Sequence, residues 1–339
     1  MARTFLPRRA RHGFTLVEML TVIIIIGLLA ALLLVALNAG RKTARNAAVK
    51  MQLTDLLQKL EVYKQEYGEY PPDFVGCASS DANIRAAARQ VVLRHLRKRF
   101  PRVTISGATV DAQYDSFIAA IANATGILPA NLVNMTVSEA LVFWLAGLPE
   151  SATVWNQLTG FSANAANPIQ SKNVSNSRTP IFFEFDQKLL FQADPNAVRL
   201  PSFGALSAAG GTGPVAFCYF RPSVNPYVPD TNGNPTPSWY IVGLDGMPTT
   251  ARPYVDSATL SANLLQLRWM DQGKPQIVAA GLDGGFGALN NPPNTNDPLH
   301  YLPPLFPSGA NFAPESSGAQ HIDNITTFTE KATLEDEVK

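Results

Sequence analysis

The sequence predicts an α+β fold: a long N-terminal transmembrane and amphipathic helix, then a helix-rich stretch, then an antiparallel β-sheet. Three observations carry this expectation. Residues Met19 to Leu37 run MLTVIIIIGLLAALLLVAL without a single charge. Helix capping and stop signals crowd the stretch from about Ser79 to Gln157. From Pro180 onward the apolar residues come instead in short aromatic or β-branched runs bounded by turn residues, the pattern of strands.

The N-terminal helix has a marked polarity. The cluster Arg8-Arg9-Ala10-Arg11-His12 is followed by Gly13, then by Phe14-Thr15-Leu16-Val17-Glu18, then by the apolar run. A helix rises about 1.5 Å per residue, so roughly 20 apolar residues cross a bilayer core about 30 Å thick. The positive-inside rule keeps the Arg-rich side cytoplasmic and sends everything after Arg41 across the membrane. A cleaved secretory signal is the simpler alternative, with a basic start, an apolar core of about 7–15 residues and an A-x-A-like site. Three details oppose it: the run is too long, Leu37-Asn38-Ala39 is a poor small-x-small site, and Glu18 sits at the mouth of the run. An acid there is costly in lipid and is usually kept because something pairs with it.

These residues resemble the N-terminal segment of type IV pilins and of the pseudopilins of type II secretion. The resemblance implies that a prepilin peptidase cuts between Gly13 and Phe14 and that the new N-terminal Phe14 is methylated. It further implies that Glu18 pairs with the N-terminal amine of a neighbouring subunit in a filament. Many members carry a helix-kinking proline where this chain has Val35.

Beyond the membrane, Ala44, Ala48, Met51, Leu56, Leu60, Tyr63 and Tyr67 recur at mostly three or four residues, an amphipathic continuation that Gly68 and Pro71-Pro72 stop. The phrase Glu66-Tyr67-Gly68-Glu69-Tyr70-Pro71 is similar to the end of this helix in major pseudopilins. The expected division is therefore a leader at residues 1–13, a transmembrane and assembly helix at 14–40, its amphipathic continuation at 41–70, a helix-rich insertion at 71–180, and a β-sheet region with a C-terminal loop at 181–339. With 339 residues, a net charge of +1 and 46% hydrophobic residues, the part after the anchor can bury a real core.

In the insertion, Ser80 or Asp81 starts a helix running to Phe100 and ended by Pro101, a short helix follows around Tyr114 to Ile121, and Thr136-Val137-Ser138-Glu139 opens a third that Gly147 closes. Strands are expected at Ile181–Phe185, Leu189–Phe191, Val215–Phe220, Trp239–Val242 and Gln276–Ala279. Pilin-like folds lay such a sheet on the outer half of the long helix. Proline, glycine and asparagine crowd into Ala163 to Asn176, Pro222 to Pro237 and Gly287 to Pro314, which marks long loops.

Chemistry is sparse. His12, His95, His300 and His321 lie far apart, with no H-E-x-x-H, no Cys/His set at metal spacing, no G-x-S-x-G elbow and no phosphate-binding glycine loop. The expectation is a protein that is not an enzyme. Cys77 and Cys218 are the only cysteines; in an oxidising compartment they form a disulfide bridge between insertion and sheet, or stay as two buried thiols. The turn Gly281 to Gly287 with Asp323-Asn324-Ile325 is similar to the C-terminal loop of major pseudopilins, which implies one bound calcium on Asp283 and Asp323; a plain Asp-Gly turn is the alternative. Arg85, Arg89, Arg94, Arg97, Lys98, Arg99 and Arg102 form a basic helix and exit, read as a solvated face or one meeting acids on an adjacent subunit, with no nucleic acid expected.

The resemblance implies a structural subunit of a type II secretion pseudopilus or related type IV filament. Its partners would be other pseudopilins, prepilin peptidase, the inner-membrane assembly platform and the membrane. Before assembly it would be a single-pass inner-membrane protein, its head periplasmic or extracellular once in the filament. An adhesive or DNA-uptake pilin, and a membrane-anchored or secreted enzyme, are the competing readings.

Overall fold

The structure is a computed structural model, which describes residues 15–74, 76–79, 82–133, 135–174, 177–192, 194, 196–206, 213–221, 227–229, 235–237, 253–256, 268–281, 284–286, 305–306 and 324–338. The chain divides into two compact units, Met1–Arg45 and Asn46–Lys339. The boundary falls five residues after the expected end of the membrane segment at residue 40.

Helix α1 (Leu16–Tyr67) runs 52 residues and is uninterrupted at Val35. Within the second unit its buried stripe is Leu53, Leu56, Leu60 and Tyr63, all fully buried, flanked by half-buried Val49 and Tyr67. The three-four spacing is the expected one, but the stripe starts in a different register. Met51 is 72% exposed because it lies two positions from Leu53, about 200° around the helix axis. Gly68 ends the helix with φ +73, its N–H donating to the Lys64 carbonyl at 2.6 Å, so a left-handed glycine closes the last turn.

Four helices lie in the chain between α1 and the first strand: α2 (Ala82–Arg99), α3 (Val110–Thr125), α4 (Pro129–Leu132) and α5 (Val137–Ala146). Thr109 caps α3, which is longer at both ends than the expected Tyr114–Ile121. The residues expected to start α2, Ser80 and Asp81, lie outside the described residues. The capping box of α5 is complete: the Glu139 N–H donates to Thr136 Oγ1 at 2.9 Å, and the Thr136 N–H donates to Glu139 Oε2 at 2.7 Å. Residues Ser138–Ala146 are all buried, so α5 is a helix enclosed on every side. Phe143 and Trp144 pack among Phe74, Phe117 and Phe161, mostly edge to face, at centroid distances of 4.9–6.1 Å, and this aromatic cluster lies in the large buried core.

The strands are β1 (Leu190–Phe191), β2 (Ser202–Leu206), β3 (Pro214–Ala216), β4 (Cys218–Phe220), β5 (Tyr227–Pro229), β6 (Pro235–Pro237), β7 (Val255–Asp256), β8 (Gln276–Ala279), β9 (Leu305–Phe306) and β10 (Ile325–Thr326), followed by helix α6 (Leu334–Val338). Instead of one antiparallel sheet, the described strands form antiparallel sheets of order β1-β2-β3 and β10-β8-β4, an antiparallel pair β5-β6, and a parallel pair β7-β9. The expected strand Val215–Phe220 breaks at Phe217, whose N–H donates to the Phe203 carbonyl, so its halves join different sheets. Ile181–Phe185 is not a strand. The Phe182 N–H donates to the Leu145 carbonyl, and Phe183 and Phe185 pack on Phe203, so aromatic core packing rather than a ladder fixes this segment. Trp239–Val242 lies outside the described residues. Strand β2 has no clear sequence signal because it contains Gly204, where a Cβ would clash with the Val215 carbonyl oxygen.

The β10-β8-β4 sheet has two buried faces, as the two-residue period of a strand allows. Tyr219, Ile277, Ala279 and Ile325 join the cluster that contains the α1 stripe, while Cys218, Phe220 and Val278 join a smaller one with Tyr254, Phe286 and Leu334. Two hydrogen bonds tie this sheet to α1 and its exit: Lys50 Nζ donates to the Thr326 carbonyl at 2.6 Å, and the Tyr219 hydroxyl to the Pro71 carbonyl at 2.9 Å.

Candidate assembly site

Fifteen large apolar side chains between Leu16 and Leu37 are 44–82% exposed. Burying a side chain of this size is worth about 1.5–3 kcal/mol, so such a helix is stable in lipid or against protein rather than in water. Its 22 residues from Leu16 to Leu37 span about 33 Å at about 1.5 Å per residue, the thickness of a bilayer core. Among the described residues α1 is the one helix long and apolar enough to cross a membrane.

The first turn of this helix closes on itself. The Thr15 N–H and hydroxyl both donate to Glu18 Oε2 at 2.8 Å, and the Glu18 N–H donates to Thr15 Oγ1 at 3.2 Å. This is a capping box, and its T-x-x-E signature is present in the sequence, where the resemblance assigns Glu18 only a partner on another subunit. Further along, the Thr21 hydroxyl donates to the Val17 carbonyl at 2.8 Å and Thr43 to Ala39 at 3.2 Å, so the helix satisfies its own polar side chains. Gly13 and Phe14 lie outside the described residues.

Asp283 and Asp323 also lie outside the described residues. Their neighbour Asn324 is buried, its amide donating to the Tyr254 hydroxyl at 3.0 Å and the Phe286 carbonyl at 3.2 Å, while its Oδ1 has no hydrogen-bond partner among the described residues. A buried, unsatisfied oxygen beside this loop is the donor type that calcium takes.

Of the two readings of the cysteines, a bridge or two buried thiols, the structure has the second: Cys77 and Cys218 are free and buried. They belong to separate buried clusters, Cys77 beside Tyr114 in the large one and Cys218 on the other face of β4. Burial pushes both thiols up to about 12.

The basic helix is corrected, since it is not simply a solvated face. Arg89 is buried, donating to the Cys77 carbonyl at 2.9 Å and to Asp111 and Asp115 at 3.0 and 3.2 Å. Arg94 and Lys98 face Glu69 at 3.3 and 3.8 Å, and Arg97 donates to Gln113 at 2.5 Å. Arg99 enters the core among the rings of Tyr63, Tyr67, Phe100, Trp144, Phe161 and Phe182, with centroids at 4.5–5.9 Å, and donates to the Trp144 carbonyl.

The same region holds a buried polar chain that sequence reading missed. Arg99 Nη1 donates to the Tyr63 hydroxyl oxygen at 3.2 Å, which lies 2.7 Å from His95 Nε2, while His95 Nδ1 lies 2.8 Å from Glu69 Oε1. With Glu69 ionised, each donor meets one acceptor when His95 is neutral and protonated at Nδ1. Burial lowers the His95 pKa to about 4, against the pull of Glu69. A second buried pair, Glu139 with Arg199, closes the start of α5 at 2.8 and 3.1 Å.

Residues 8–34 match the prokaryotic N-terminal methylation motif. The chain is 37% identical over 81 residues to the type IV wide pilus major component PilA4 of Thermus thermophilus, an alignment covering 22% of this chain and 62% of that protein. No solved structure matches the chain. The N-terminus is thus type IV pilin-like, and the α+β arrangement of a long apolar helix with antiparallel sheets fits a pilin-like fold.

Proposed function

We propose that this chain is a non-catalytic structural subunit of a type II secretion pseudopilus or related type IV filament. One observation carries the reading: a membrane-length helix with its large apolar side chains exposed, capped by its own Thr15 and Glu18, directly follows Gly13 within the methylation motif. Prepilin peptidase cuts after Gly13, Phe14 is methylated, and the helix waits in the inner membrane with its Arg-rich leader cytoplasmic. On assembly the apolar side chains exchange lipid for neighbouring subunits. Glu18 then exchanges its Thr15 hydrogen bonds for the amine of a neighbour's Phe14.

The phrase Glu66 to Pro71 favours the secretion pseudopilus, and the similarity to a wide pilus component favours a related pilus. Helices α2–α5 are then an insertion between the long helix and the sheets of a pilin-like head. The loop carrying Asp283, Asp323 and Asn324 is a candidate calcium site, with the Asn324 Oδ1 as one ligand. A DNA-uptake role has less to stand on, because Arg89, Arg94 and Lys98 already meet Asp111, Asp115 and Glu69.

Mass spectrometry of the N-terminus of protein purified from its own host is the direct test. A methylated Phe14 is expected, and Gly13→Leu is expected to leave the full-length precursor in the membrane. A start beyond Ala39, or an intact Met1, would return the secreted or anchored enzyme to first place.

A further inference from the structure

Just beyond the apolar run the helix surface becomes cationic. Arg41, Lys42 and Arg45 are exposed, and none has a hydrogen bond or ion pair with a described residue. Head cations such as Arg89, Arg94, Arg199, Lys172 and Lys274 each face an acid, while Lys59, Arg102 and Lys188 are as exposed and as unpaired among the described residues, so it is their place at the end of the apolar run that distinguishes these three. The helix itself offers no partner: from Met19 to Thr54 the sequence holds no acidic residue.

Their position is set by helix geometry. Arg41 and Lys42 lie four and five residues past Leu37, about 6–8 Å further along the axis, and Arg45 about 12 Å. The headgroup layer is about 5–8 Å deep beyond the hydrocarbon on each side. Helical side chains slant back toward the N-terminus, so the long arms of all three reach toward the membrane rather than away from it. At about 100° per residue the three fall within about 100° of arc, forming one face.

We propose that Arg41, Lys42 and Arg45 form a binding surface for anionic phospholipid headgroups on the leaflet facing the head unit. Guanidinium groups grip phosphate through paired N–H donors, and the lysine adds a point charge. Removal of the leader takes Arg3, Arg8, Arg9 and Arg11 with it, leaving these three as the cationic side chains nearest the span, with the new amine of Phe14 at its other end. They position the waiting subunit in depth and retain it near anionic lipid. Because they lie on the side toward which the subunit leaves the membrane, they need not cross the hydrocarbon. This inference rests on the proposed spanning of the membrane by α1.

The test uses the whole chain from Phe14 onward, purified after removal of the leader, so that its four arginines do not contribute. Native mass spectrometry of the detergent-solubilised protein with equimolar dioleoyl-phosphatidylglycerol and dioleoyl-phosphatidylcholine reads which lipid is retained. Preferential retention of phosphatidylglycerol is expected, with the triple variant R41Q/K42Q/R45Q losing about fivefold per cation and on the order of a hundredfold in all. The variant R94Q/R97Q/K98Q, with the same change in net charge on the head, is expected to keep the preference. Equal retention of the two lipids by the wild-type chain, a triple variant that keeps the preference, or an equal loss in both variants would overturn the proposal. Resistance to alkaline extraction from pure phosphatidylcholine vesicles reports the spanning separately: its loss refutes the spanning reading, whereas insertion without lipid preference refutes only the headgroup surface.

Discussion

Replacing Arg199 with methionine removes one half of a buried, two-pronged ion pair and leaves Glu139 fully enclosed at the start of α5. Both Glu139 carboxylate oxygens are committed, Oε1 to Arg199 Nε at 2.8 Å, Oε2 to Arg199 Nη2 at 3.1 Å and to the Thr136 N–H at 2.7 Å. Arg199 is nearly as enclosed, with 8% of its side chain exposed, so water cannot substitute for the lost cation. Breaking such a pair costs about 3–5 kcal/mol, because the remaining charge is desolvated and unopposed. For a head of this size that is a fall in Tm on the order of 10 °C.

The pH response tests the cause. Burial already raises the Glu139 pKa, with Arg199 and Thr136 pulling it down, and removing Arg199 raises it further. A carboxyl with a raised folded pKa holds its proton better folded than unfolded, so stability falls as pH rises from the ordinary carboxylate range through the folded value. R199M is therefore expected to be most defective at neutral and alkaline pH and to recover part of its loss toward pH 5. The double variant E139Q/R199M is expected to be more stable than R199M alone. Thermal unfolding of the full-length chain in detergent, followed by circular dichroism between pH 5 and 8, reads all three quantities. An unchanged Tm in R199M, or a double variant no better than the single one, would refute the argument.

Three further outcomes are expected. Because burial holds the His95 pKa down at about 4, the unfolded chain binds its proton first, so stability is lost as pH falls from about 6.5 toward 4; His95→Gln should flatten the Tm against pH in that window, and an unaltered slope would show that other groups set it. Glu18→Ala should still be processed at Gly13 but be absent from filaments, checked by N-terminal mass spectrometry and by immunogold labelling of sheared fibres; normal incorporation would contradict the pairing. Cys77 and Cys218, both pushed up to about 12 and enclosed, should resist maleimide labelling at pH 8 until the chain is unfolded, and fast labelling of the native protein would place them differently.

What the sequence by itself determined is what depends on neighbours along the chain. The apolar run, the three-four spacing of Leu56, Leu60 and Tyr63, the Gly68 stop, the Thr136–Glu139 box and strand β8 are all local patterns, and each stands in the structure as the pattern required. The capping of Glu18 by Thr15 is equally local and follows from the T-x-x-E spacing. Only tertiary structure decided which segments pair and which charges go inside. Phe217 divides an apparently continuous strand between two sheets, one partner strand about ten residues before it and the other about sixty after, and Ile181–Phe185 gives up a ladder for aromatic packing on Phe203, so none of these choices is set by adjacent residues. Likewise Arg99 and His95 enter the core because Tyr63, Trp144 and Glu69, from other parts of the chain, converge there to satisfy them. A basic helix written one residue at a time carries no trace of that convergence.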